Sequence, residues 1–151
     1  WHSSALREKL SADFYREKGK DTRMKLIIGG AFQGKKEYAK QQFSLQEDQM
    51  RDGKEADFEE LFRVPCLYHF HEWIQKGLKL GWDFDGITER LLQENPELIL
   101  ISNELGYGVV PMEAFDRTYR ETTGRICTKI AAESQMVIRV VCGMGMVIKN
   151  A

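Results

Sequence analysis

Met24-Lys25-Leu26-Ile27-Ile28-Gly29-Gly30-Ala31-Phe32-Gln33-Gly34-Lys35-Lys36 decides the fold. An apolar run stops abruptly at a glycine pair, a glycine-rich turn follows, and Glu37 to Phe43 then reads as a helix. Strand, glycine loop and helix in that order open a βαβ unit. Residues 29–36 also carry the G-x-x-x-x-G-K core of a phosphate-binding loop in the context its mechanism requires. Glycines let backbone N–H groups converge on phosphate oxygens, the helix N-terminus adds partial positive charge, and Lys35 reaches the terminal phosphates. Gly29, Gly30, Ala31, Phe32, Gln33, Gly34, Lys35 and Lys36 are therefore the candidate nucleotide-binding residues. The last position departs from the pattern: Lys36 stands where Ser or Thr would ligate Mg²⁺, and an ammonium cannot hold a cation.

Downstream, Glu47 to Glu60 holds seven acidic and two basic residues around Gly53 and reads as a solvated loop or helix surface with no chemistry. Leu67, Phe70, Ile74 and Leu78 recur at helical steps, which predicts a helix over 67–80 with Trp73 widening its apolar stripe. A turn-rich stretch, Gly81 to Gly86, precedes a second short helix over 87–93 that Asn95-Pro96 ends. Leu98 to Ser102 is a continuous apolar strand of the kind covered on both faces. Pro111 can open a long helix carrying Phe115, Tyr119, Ile126 and Ile130, with a weak point at Gly124. Two β runs, 136–141 and 146–149, close the chain around Gly143-Met144-Gly145. Strands alternating with helices predict an α/β domain over 24–151 with a mostly parallel central sheet and an antiparallel C-terminal edge. Before it, residues 1–23 carry Leu6, Leu10 and Phe14 at helical spacing and read as a short helix and linker.

Composition narrows the partners. The 151 residues are 42% hydrophobic and 30% charged, the balance of one globular domain. Lys+Arg 22 against Asp+Glu 23 leaves a net charge of −1, which argues against nucleic acid or an acidic membrane as principal partner. Cys66, Cys127 and Cys142 form no CxxC pair, so neither a disulfide framework nor a zinc knuckle is expected, and a reducing cytoplasm fits. No run approaches a membrane span.

Asn103-Glu104 directly follows the buried strand, where open α/β sheets place their ligands. Glu104 would orient a metal-bound water or accept a hydroxyl proton, or else serve as a capping acid. Gly106 and Gly108 would let the loop approach a ligand. His69 and His71 are read on one helix with side chains diverging by roughly 200°, so they are not expected to share a metal; no metal ligand is assigned. Arg117, Arg120 and Arg125 follow, and one of them would complete a triphosphate clamp or pair with helix-surface acids.

Residues 24–35, the run Ser102-Asn103-Glu104-Leu105-Gly106-Tyr107-Gly108-Val109-Val110-Pro111, Gly124-Arg125-Ile126, Ile130-Ala131-Ala132 and the closing Val140 to Lys149 together resemble the bifunctional adenosylcobinamide kinase and adenosylcobinamide-phosphate guanylyltransferase family. The resemblance implies a three-layer P-loop fold of the recombinase-like kind. It also implies ATP or GTP with Mg²⁺ as cofactors, phosphorylation of a cobinamide hydroxyl, a guanylyl-histidine step and a trimeric assembly. By matching position, 29–36 and Arg125 would bind the triphosphate, Lys35 and Glu104 would be catalytic, and Asn103 would sit at the catalytic end of the sheet. Three departures stand out. Lys36 replaces the magnesium ligand, Pro65 stands for the family's acidic residue before a cysteine, and no histidine lies between Phe43 and Pro65. Two functions follow: a shortened cobinamide kinase lacking the usual guanylylation motif, or a non-catalytic nucleotide- or corrinoid-binding protein. A kinase for another hydroxylated substrate is a third.

Overall fold

The structure, a computed structural model, describes residues 23–105 and 113–151. β1 (Lys25–Gly29) leads through the glycine loop into α1 (Lys35–Gln42), and a 3₁₀ turn precedes β2 (Met50–Asp52). A second 3₁₀ turn leads to β3 (Cys66–Tyr68), followed by α2 (Phe70–Leu80), α3 (Ile87–Glu94) and β4 (Ile99–Asn103). The chain ends with α4 (Ala114–Glu133), β5 (Met136–Val141) and β6 (Met144–Asn150).

The strands form one sheet in the order β2-β3-β4-β1-β5-β6, parallel except for β6 against β5. β1 therefore sits between β4 and β5. The chain leaves β1 toward β2 and later crosses to β5 on the other side, so the switch in direction falls at the carboxyl end of β1.

Side-chain alternation divides the core into two layers. Ile27, Ile99, Ile101, Ile138 and Val140 meet Ala39 of α1 on one face. Leu26, Leu98, Leu100 and Val137 meet Phe70, Trp73 and Ile74 of α2, Leu91 of α3, and Ile126 and Ile130 of α4 on the other. This is the three-layer, P-loop-like α/β architecture expected from the sequence, with the antiparallel edge in place. The β5–β6 turn is the two-residue Cys142-Gly143, with φ of 50° and 77°. Positive φ at both central residues matches the right-handed twist of the strands.

Two local readings are corrected. The acid-rich segment contains strand β2, because Met50 is a buried residue that pairs with Cys66. The helix expected from Leu67 starts only at Phe70, since Cys66–Tyr68 pairs with both β2 and β4. α4 runs unbroken through Gly124. The expected N-terminal helix, Gly106, Gly108 and Pro111 lie outside the described residues. Among the described residues no helix is long and apolar enough to cross a membrane.

Candidate functional site: a glycine loop facing an aspartate–histidine wall

The glycine loop is built against the neighbouring strands. A Cβ on Gly29 would lie 2.5 Å from the Val140 carbonyl oxygen, so only glycine passes there. The Gly29 carbonyl accepts the Glu104 N–H at 2.9 Å, tying the loop to the end of β4. Gln33 ties it to the β5–β6 turn: its carbonyl accepts the Gly143 N–H at 2.8 Å and its side-chain Oε1 accepts the Cys142 N–H at 2.7 Å. Gly34 caps α1 at φ 85°. Phe32, at φ 60°, stands fully exposed at the tip.

Lys35 opens α1, is 8% exposed, and its Nζ donates to the Gly30 carbonyl at 2.7 Å. The ammonium thus lies along the inside of the loop, where a phosphate would compete for it. Burial lowers its pKa, and the negative charge of Glu104 partly restores it. Lys36 turns elsewhere: its Nζ is 2.7 Å from Glu47 Oε1 and 4.3 Å from the centre of the Tyr68 ring. The bond from Glu47 raises its pKa and keeps it charged.

A cavity of about 630 Å³ opens in front of the loop, lined by 31–37 on one side and by Asp52, Lys54, Tyr68, His69, His71 and Glu72 on the other, with Ile101 and Asn103 between. That volume suits a small-molecule site. Asp52 ends β2 and His69 follows β3, so both project at the carboxyl edge of the sheet beside the loop. His69 Nδ1 is 2.9 Å from Asp52 Oδ1 and 3.3 Å from Glu72 Oε2. His69 holds a left-handed backbone at φ 55°, and a Cβ on Gly53 would lie 2.4 Å from its carbonyl oxygen. The turn after β2 is pinned by Lys76, whose Nζ donates to the carbonyls of Gly53, Lys54 and Ala56.

His71 is a buried counterpart. Its Nδ1 accepts the Asn103 N–H at 3.1 Å, and desolvation, aided by the positive groups around it, pushes its pKa down to about 4. Neutral His71 thereby satisfies the last backbone donor of β4. The divergence expected for the two histidines does not hold, because His69 precedes the helix. Their rings stand 5.9 Å apart at 87°. Asp52, read from sequence as surface charge, was missed; its signal was Gly53, which closes a turn against β3.

The structure brings Lys35 and Asn103 to this cavity but not Glu104 or Arg125. Glu104 faces the α4 side, where Arg139 Nε and Nη2 donate to its two oxygens at 2.8 and 3.2 Å. Its carboxylate is thus occupied rather than presented as a free base. Arg125 is exposed on α4, in a groove with Trp82 and Asp83. Pro65 is not at a metal position either. Cys66 pairs with Ile99, which pairs with Lys25, so Pro65 lies at the amino end of β3, several residues of strand away from the loop. A magnesium ion held by the loop's own residues does not fit this chain: Lys36 is a paired ammonium, and the carboxyl end of β3 presents His69.

The cobinamide kinase / cobinamide phosphate guanyltransferase model matches residues 66–148, more than half of the chain. The chain belongs to that family. It is 32% identical over 79 residues to the bifunctional adenosylcobalamin biosynthesis protein CobU of Escherichia coli K12, covering 45% of this chain and 44% of that protein. Against the CobU of Salmonella typhimurium LT2 it is 38% identical over 53 residues, 35% and 29% of the two chains. The aligned stretch spans less than half the length of either relative. Within the family match fall β3, His69, His71, Glu72, β4 and the β5–β6 hairpin as far as Ile148; the glycine loop and Asp52 precede it.

Proposed function

We propose that this family member acts in cobalamin biosynthesis by binding a purine nucleoside triphosphate, ATP or GTP, on the 29–36 loop and transferring its terminal phosphoryl group to the hydroxyl of adenosylcobinamide. The observation that carries the reading is Lys35: a nearly buried ammonium held inside a glycine loop at the carboxyl end of β1, facing a cavity of nucleotide size. The substrate oxygen forms a bond to the terminal phosphorus, the bond from that phosphorus to the β-phosphate's bridging oxygen breaks, and the hydroxyl proton leaves to water. Such a transition state is stabilised mainly by positioning and by charge on the equatorial oxygens. Lys35 supplies that charge, and the helix N-terminus behind it adds to it. Asn103 borders the cavity, and Glu104, bound to Arg139, acts on Lys35 through its field rather than as a base. Exposed Met144, Met146, Val147 and Ile148 on β6 favour a homo-oligomer, a trimer by analogy with the family, working in the cytoplasm.

Incubating the chain with adenosylcobinamide and ATP or GTP, with product followed by mass, tests the proposal. A single added phosphate that depends on Lys35 is expected. The second reading, a non-catalytic nucleotide binder, is favoured by the unfit magnesium position; it predicts nucleotide binding with no phosphorylated product under any divalent cation.

A further inference from the structure

The wall opposite Lys35 carries three donors that the proposed chemistry leaves unused. Asp52, His69 and Glu72 each offer one ligand atom, and these atoms lie within 4.8 Å of one another. Around one small divalent ion, donors bound at ~2.0–2.2 Å stand roughly 3–3.5 Å apart. The 2.9 and 3.3 Å separations from His69 Nδ1 to the two carboxylates already match that spacing. His69 caps α2 and Glu72 lies three residues on in its first turn, while Asp52 comes from the end of β2, so the β2–β3 pairing brings the second carboxylate to the start of the helix. His69 is held there in a left-handed conformation that a non-glycine residue seldom adopts, with Gly53 fitted beneath its carbonyl.

We propose that Asp52, His69 and Glu72 bind a divalent transition-metal ion at the mouth of the phosphate cavity. The ion stands in for the magnesium that the loop does not fit. One imidazole nitrogen with two carboxylates selects Mn²⁺, Co²⁺ or Zn²⁺ over Mg²⁺, which prefers an all-oxygen shell. All three side chains line the cavity, leaving positions on the ion for water or phosphate oxygens. Two existing contacts are compatible with loading. The Lys54 N–H donates to Asp52 Oδ1 at 2.9 Å, and that carboxylate oxygen keeps a second lone pair for the ion. The Lys54 ammonium, 3.6 Å from Glu72 Oε1 and 53% exposed, moves to solvent as the cation enters. An ion here serves phosphoryl transfer only if the nucleotide reading holds, but its binding does not depend on that reading.

The test uses the full chain, stripped with chelator and without nucleotide. Co²⁺ is titrated by visible absorption, and Mn²⁺ and Mg²⁺ by calorimetry. One saturable Co²⁺ per chain in the micromolar range is expected, with Mg²⁺ at least about tenfold weaker than Mn²⁺. Asp52→Asn and Glu72→Gln should each weaken Co²⁺ by about tenfold or more while circular dichroism stays native. Lys35→Ala should leave metal binding unchanged; loss of nucleotide binding alone in that variant separates the two sites. No saturable Co²⁺ or Mn²⁺ below millimolar, equal affinity in both ligand variants, or Mg²⁺ as tight as Mn²⁺ would overturn the proposal.

Discussion

Replacing Arg139 by Met should destabilise the protein considerably more than replacing Glu104 by Gln, although both changes remove the same ion pair. Arg139 sits in β5 opposite Ile28 of β1, and Glu104 follows β4, so the pair straps β5 to β4 across the carboxyl end of β1. At ~4 Å and an effective dielectric of ~20 the gross attraction is about 4 kcal/mol. What each deletion leaves behind decides the net cost. The Glu104 side chain is 12% exposed, so Arg139→Met strands a nearly buried carboxylate, at about 3 kcal/mol. Arg139 is 43% exposed, and Glu104→Gln leaves it a neutral acceptor and water, at about 1 kcal/mol. Urea unfolding at pH 7 reads the difference, about 2 kcal/mol, as a shift in midpoint at constant slope. Equal costs, or a larger cost for Glu104→Gln, would refute the reasoning. The same variant also separates the two roles open to Glu104. A strap predicts that Glu104→Gln keeps nucleotide affinity within about threefold, whereas a catalytic base predicts loss of turnover with stability intact.

Two further outcomes follow from burial. His71 is held neutral with its pKa near 4, against ~6.5 in an unfolded chain, so the unfolded state takes up the proton first. The stability this contributes is present above pH 6.5 and lost as pH falls toward 4. In metal-free buffer the loss reaches about 2 kcal/mol by pH 5, and urea midpoints of His71→Gln should not show that slope; identical slopes would contradict it. Burial also pushes the Cys66 thiol up to about 12 and Cys127 to about 11, whereas Cys142 is exposed in the hairpin turn. A disulfide reagent at pH 8 should therefore modify Cys142 rapidly and all three cysteines only after denaturation; rapid reaction of Cys66 in the native protein would contradict the packing.

The parts of the fold legible in the sequence are those where local signals agree. Ile27-Ile28 before Gly29-Gly30, and the unbroken Leu98 to Ile101 run, mark central strands because both faces are covered, and the hairpin carries its own glycine turn. β2 and β3 escaped because each is three residues long. Leu67 belongs to a strand, yet it buries into the same core as Phe70 and Ile74, so their spacing imitates one helical stripe. That coincidence hid the left-handed His69 and with it the Asp52–His69–Glu72 cluster. The partner of Glu104 was invisible for another reason: Arg139 is 35 residues away, and only the β4-β1-β5 strand order brings it near. Lys35 was legible because its position depends on a loop whose geometry is written in adjacent glycines.

Calorimetric titration of the chain with ATP and GTP, beside Lys35→Ala, tests the proposed nucleotide site most directly. Micromolar binding of at least one nucleotide, weakened by about tenfold or more in Lys35→Ala, is the predicted result. No binding of either nucleotide, or binding indifferent to Lys35, would contradict the account.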